Sequence, residues 1–221
     1  MCPANAAVTA GRCRDSQSSN KPMVIQSHKR IIDELDQARA QEYALLATLL
    51  ARSPDSALLS RLAALHGDAS PIGLAHAALA KSARHTSEEG ASREYFALFA
   101  GLGEGALLPY SSHYLAETLY GRPLVRLRQT LLHLGIERSP ERTEPEDHAA
   151  FLCEIMAGLA RGDISAEEGA DRAFFEQHLS PWIRRFFADV ERAKSAHFYA
   201  AVGALGRVFV DIEARGFELP I

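Results

Sequence analysis

The strongest constraint on this chain is a recurrence of apolar residues three and four positions apart, cut at short intervals by Ser-Pro pairs and glycines, with no stretch of strict alternation. Only helices satisfy that spacing. From His28 to Arg52 the apolar positions are Ile31, Leu35, Ala38, Leu45, Leu46 and Leu49, with Glu42 interrupting the stripe. Ser53-Pro54 opens a second helix through Leu58, Leu59, Leu62 and Leu65 to a stop at Gly67, and Ser70-Pro71 opens a third to about Arg84. A fourth runs from Ser87 to Ala100 and ends in the aromatic stretch Tyr95, Phe96, Leu98, Phe99.

Gly101, Gly103 and Gly105 break the chain as a hinge, and Pro109 delays the next helix to Ser112–Tyr120. Arg122-Pro123 starts another that ends at Gly135. Thr143 with Glu146 reads as a capping box for a helix that continues through Phe151, Ile155 and Leu159 to Gly162. Ser165 with Glu168 reads as a second box, and Ser180-Pro181 as a further proline start. The last helix spans Ala196–Arg215 with Phe198, Val202, Leu205, Phe209 and Ile212 turned inward. The sum is an all-α, single-domain helical bundle of about nine or ten helices. Residues 1–27, polar and without period, are expected to be a disordered leader, so the folded domain is 28–221.

With 221 residues, 47% of them hydrophobic, the chain can bury one core of ordinary size. No run reaches the roughly 18 apolar residues of a membrane span. A net charge of −4 removes the basic footprint expected of a nucleic-acid binder. The start lacks a secretory signal, which makes the cytoplasm the expected compartment. Three cysteines, Cys2, Cys13 and Cys153, form no C-x-x-C and read as free thiols, Cys153 as a small buried hydrophobe.

The nine histidines include no pair three or four residues apart and no Glu-x-x-His, so neither a metal nor any other cofactor is expected. Gly101 to Gly105 follows helix and lacks the Lys-Ser/Thr of a phosphate loop. There is no Gly-x-Ser-x-Gly. An internal Arg184-Arg185-Phe186-Phe187 resembles a twin-arginine export signal but sits inside an amphipathic helix, where a solvated face is the simpler reading.

Two stretches stand out. Glu144-Pro145-Glu146-Asp147-His148 lies in a segment where five acids (Glu141, Glu144, Glu146, Asp147, Glu154) face one arginine, Arg142. Acids at a helix N-terminus stabilise it by about 0.3–1 kcal/mol, yet Glu146 already closes the expected box. Asp147 and His148 are therefore surplus to capping, and their removal is expected to cost little stability. In the second stretch, Leu107 to Leu115, Tyr110 and Tyr114 are four apart and are expected on one side of a short helix. They could pack in the core or, with Phe96 and Phe99, line a groove for an apolar peptide, their hydroxyls at its rim.

Taken together, Glu42-Tyr43, Glu94-Tyr95 through Leu98-Phe99, Leu108-Pro109-Tyr110 through Tyr114-Leu115, Glu144 to His148, and His178 to Trp182 resemble the TorD/DmsD/NarJ-type maturation chaperones of molybdenum oxidoreductases, over about residues 40–215. The resemblance implies a TorD-like helical fold and a cytoplasmic, non-enzymatic chaperone. Such a protein binds the twin-arginine signal peptide and apo-subunit of its client and delays export until the molybdopterin-type cofactor is inserted. It assigns peptide binding to Asp147, His148, Glu144 and Pro145, and to Tyr110, Tyr114, Leu98 and Phe99. Ser111, where many members carry an acid, and His113, where a small apolar residue is usual, depart from the pattern. The run from Leu107 to Leu159 looks most like members paired with formate dehydrogenases, with a dimethyl sulfoxide, trimethylamine oxide or nitrate reductase as the alternative clients. The alternative is a small helical enzyme using Asp147 and His148 as acid and base, although adjacent helical residues point about 100° apart. A monomer, or a dimer swapped through the glycine hinge, is expected.

Overall fold

The computed structural model describes residues 33–100, 107–117, 119–137 and 144–219. The leader at 1–27, the start of the first helix at His28, the hinge at Gly101 to Gly105 and the capping residue Thr143 lie outside them. The described residues form ten helices: α1 (Glu34–Ala51), α2 (Ser56–Ala63), α3 (Pro71–Arg84), α4 (Glu88–Tyr95), α5 (Ser111–Ala116), α6 (Arg122–His133), α7 (Ala149–Arg161), α8 (Ala170–Phe174), α9 (Ile183–Arg192) and α10 (Phe198–Glu218). Phe96–Ala100 and Phe175–Leu179 are π-helical turns that extend α4 and α8. Among the described residues there is no strand, and one isolated backbone bridge joins Tyr110 to His148.

Several starts follow from local chemistry. Ser70 caps α3 ahead of Pro71, and the Ser87 hydroxyl accepts from Gly90 N in α4. Asp55, rather than Ser53, caps α2, its carboxylate accepting from Leu58 N at 2.7 Å. Gly162, at φ 72°, ends α7 in the left-handed conformation that glycine adopts without cost.

Other expectations are corrected by packing. The helix expected from Thr143 starts at Ala149, with His148 as its N-cap. The Ser165–Glu168 box is not used: α8 starts at Ala170 from a left-handed Gly169, while Ile164 lies against Gly158, where a Cβ would come within 2.8 Å of Ile164 Cδ1. The Ser180-Pro181 start is displaced to Ile183, because Trp182 is drawn into the core with its Nε1–H donating to the His178 carbonyl at 2.8 Å. Helix α5 stops at Ala116 instead of Tyr120, with Glu117 left-handed at φ 55°. Ile212, expected inward, is 42% exposed, and Glu213 is buried in its place.

Helix α1 packs along α7, and α10 packs on α9 and α3. The core is rich in aromatic rings, with Tyr43, Trp182, Phe186, Phe187, Phe198 and Tyr199 all buried. At Gly203 a Cβ would lie 2.5 Å from the Glu191 backbone nitrogen, so α9 and α10 approach closely only because that side chain is absent. Arg184 and Arg185 face solvent as expected, whereas Phe186 and Phe187 of the same stretch are core residues. Cys153 is buried, and burial pushes its thiol up to about 12.

The buried end of α10 explains Glu213. Arg39 of α1 donates from Nε and Nη2 to the two Glu213 carboxylate oxygens at 2.8 and 3.0 Å, and from Nη1 to Asp36 at 2.9 Å and Asp171 at 3.0 Å. The Tyr43 hydroxyl donates to Glu213 at 3.0 Å, and the guanidinium lies over the Phe217 ring. One cation thereby ties α1, α8 and α10 together.

Candidate functional site

The sequence between α4 and α7 comes together where the chain before α5 runs beside the chain before α7. Ser111 N donates to the Asp147 carbonyl at 3.0 Å and Ala149 N to the Pro109 carbonyl at 2.7 Å. Tyr110 is thus extended, at φ −122° and ψ 135°, and stands as the N-cap residue of α5 with no acceptor of its own. Asp147 supplies one from outside: its Oδ2 accepts from Ser112 N at 2.8 Å and from the Ser111 hydroxyl at 3.2 Å. The carboxylate is fully buried. Ser111 therefore provides a donor to Asp147.

His148 works on the other helix. Its Nδ1 accepts from Ala150 N at 3.1 Å, which places the ring proton on Nε2, and Nε2 lies 3.9 Å from Glu144 Oε2. The ring meets that of Tyr110 edge-on at 5.1 Å. Glu146, the expected closing residue of the box, is engaged by Arg128 of α6 at 3.1 Å (Nε) and 2.9 Å (Nη2). Within the motif Pro145, Glu146, Asp147 and His148 are buried, and Glu144 alone is exposed. The Asp147 carboxylate serves α5 and the His148 ring serves α7, so the two side chains do not form an acid–base pair. Asp147 and His148 are integral to two helix starts, not surplus to them.

The tyrosines expected on one side of α5 are separated. Tyr110 sits on His148, and burial, then the charges of Glu144 and Asp147, push its hydroxyl up to about 12. Tyr114 packs against Trp182 at 5.4 Å and Phe186 at 6.0 Å, and its hydroxyl donates to Asp189 Oδ2 at 3.0 Å. Burial and the Asp189 charge raise that hydroxyl as well. Phe99 reaches the same aromatic group through Phe186, at 6.3 Å, and also packs on Tyr95 and Tyr199. Leu98 is fully buried and presents no surface to a partner, while Phe96 is 64% exposed.

Beside Tyr114 lies a cavity of about 270 Å³ between α5 and α9. Leu107 and Leu108 give it apolar lining, Tyr114 an aromatic one, and Glu117 and Asp189 bring carboxylates. His113 and Arg185 complete its border, the His113 ring 5.5 Å from that of Tyr114 and the Arg185 guanidinium 5.4 Å from the Tyr114 ring centroid. Glu117, Asp189 and Arg185 are the residues that sequence reasoning missed. The available signal was weak: Arg185 and Asp189 are one turn apart on the flank of the stripe formed by Ile183, Phe186, Phe187 and Val190. Among the described residues no cluster of three His, Cys, Asp or Glu is arranged to hold a metal, and no helix is long and apolar enough to cross a membrane.

Comparison with known proteins agrees with this architecture. Over 208 residues the chain is 26% identical to chaperone protein TorD of Shewanella pealeana, covering 85% of this chain and 93% of that one. Over 125 residues it is 34% identical to the Tat proofreading chaperone DmsD of Salmonella typhimurium, covering 55% of this chain and 59% of that one. A crystal structure described as a redox enzyme maturation protein of Archaeoglobus fulgidus shares the fold at a TM-score of 0.50 and 20% identity, over 78% of this chain and 93% of that one. Residues 65–188, which hold both the Tyr110 and Asp147 segments and most of α9, match the family described as nitrate reductase delta subunit. With a matched segment of that length and motifs folded into one junction, the chain belongs to this family of TorD/DmsD/NarJ-type proteins.

Proposed function

We propose that this protein is a cytoplasmic maturation chaperone that binds the twin-arginine signal peptide and apo-subunit of a molybdenum-containing oxidoreductase, with a formate dehydrogenase as the favoured client. The carrying observation is the cavity between α5 and α9, where an aromatic face, two leucines and two carboxylates converge beside His113 and Arg185. A peptide with paired guanidinium groups followed by an apolar stretch needs that combination, because guanidinium groups form charge-assisted bonds to carboxylates and stack on aromatic rings. The names borne by the similar TorD and DmsD proteins support the chaperone part of this reading.

In this reading the Asp147–His148 motif acts indirectly. Asp147 holds the first turn of α5 at Ser112, and with it the position of Tyr114 and Glu117 further along the same short segment. Glu144 and the half-buried Tyr110 form a second polar edge on the side of His148.

Isothermal titration of the protein with a synthetic twin-arginine signal peptide, and with its variant carrying two alanines in place of the arginines, tests the proposal. The arginine peptide is expected to bind at least tenfold more tightly, since each charge-assisted bond contributes about 1.5–3 kcal/mol. Equal affinity for both peptides would overturn it.

A further inference from the structure

The two arginines of α9 have different surroundings. Arg184 is spoken for: its Nε donates to Asp211 Oδ1 of α10 at 2.7 Å. Arg185 is adjacent in sequence, yet forms no ion pair among the described residues; its contact is the stack on Tyr114. Asp189, one turn further along α9, accepts instead from the Tyr114 hydroxyl, and Glu117 borders the same cavity from the end of α5. A cation thus rests on the aromatic lining of a cavity whose two carboxylates it does not use.

We propose that this cavity is the subsite for one guanidinium of the incoming peptide, and that Arg185 occupies its aromatic face as an internal competitor that the peptide displaces. The inference rests on the peptide-binding reading above and adds how the site is regulated. A guanidinium arriving on a peptide gains the Tyr114 face together with bonds to Asp189 and Glu117, whereas Arg185 gains only the face. The exchange therefore favours an arginine over a lysine, whose ammonium is a compact, strongly hydrated charge without the planar fork. Phe186 and Phe187, which follow Arg185, are locked in the core, so the already exposed Arg185 side chain swings clear of the Tyr114 ring while α9 stays in place.

Removing the competitor should strengthen peptide binding by the value of an exposed cation–π contact, about two- to fivefold. Titrations would compare the wild type, Arg185→Ala, Arg185→Gln, Asp189→Asn and Glu117→Gln against the twin-arginine peptide and its double-alanine variant, with circular dichroism to verify the fold of each. The expected pattern is tighter binding of the arginine peptide by both Arg185 variants, no gain for the alanine peptide, and weaker binding of the arginine peptide by Asp189→Asn and Glu117→Gln. Unchanged or weaker binding by both Arg185 variants, in a protein that still prefers the arginine peptide, would overturn the competitor role and leave the peptide reading standing. Indifference of wild type and variants alike to the peptide arginines would remove both.

Discussion

Around Arg39, one guanidinium meets three carboxylates contributed by α1, α8 and α10, the first and last of these being the longest helices described. Around Asp147, one carboxylate holds the first turn of the six-residue α5, which borders the cavity. Both clusters are buried and polar, but their loads differ. The first joins elements that already share an apolar core, so its loss should register as stability. The second anchors an element too short to hold its own shape, so its loss should register first as misplacement of Tyr114 and Glu117. A buried polar cluster is therefore read by what it holds in place as much as by how well it is paired.

The largest effect is expected at the first cluster. Arg39→Ala leaves three buried carboxylates without their shared cation and should lower stability by about 3–5 kcal/mol, measured by urea unfolding. At temperatures where the variant is folded, its affinity for the twin-arginine peptide should match the wild type. A loss of affinity in the folded variant would break the proposed division between the two clusters.

At the second cluster, Asp147→Ala should cost about 1–3 kcal/mol, because Ser112 N loses its buried acceptor. Peptide affinity should fall in titrations run well below the melting temperature. Asp147→Asn keeps an oxygen acceptor for Ser112 N and should recover most of the stability. If Asp147→Ala melted like the wild type and still lost the peptide, the carboxylate would contact the peptide directly and the positioning role would be wrong.

A separate effect concerns pH. The His178 ring bonds with the Thr130 hydroxyl at 2.8 Å, and burial, then the charge of Arg126, lower its imidazole from 6.5 to about 4. Between those values the unfolded chain binds a proton that the folded protein refuses. The stability His178 contributes is thus complete above about pH 6.5 and is lost as pH falls toward 4. Unfolding free energies measured across this range should fall less steeply for His178→Gln than for the wild type, and identical slopes would exclude the effect.

Much of the fold was legible because its signals are local. Leucine spacing marks α2 and α6, Ser70-Pro71 and Ser87 mark two starts, and Gly162 marks a stop. Legibility failed where an acceptor or a burial site came from a distant part of the chain. Thr143 with Glu146 looked like a cap by spacing, but Glu146 is taken by Arg128 and the helix starts at Ala149, capped by His148. Tyr110 and Tyr114 looked like one face, but the backbone pairing of Tyr110 with His148 keeps the first tyrosine out of the helix.

From the sequence alone, then, come the helical class, several helix boundaries and the resemblance carried by the Tyr110 and Asp147 segments, since periodicity, capping and motif order are properties of neighbouring residues. Only the tertiary structure decided that Asp147 caps a helix 36 residues before it, that Glu213 rather than Ile212 turns inward to meet Arg39, and that Glu117, Asp189 and Arg185 share a cavity with Tyr114. Those are contacts between separate helices, and which side chains meet there depends on how whole helices pack, which no local window of sequence contains.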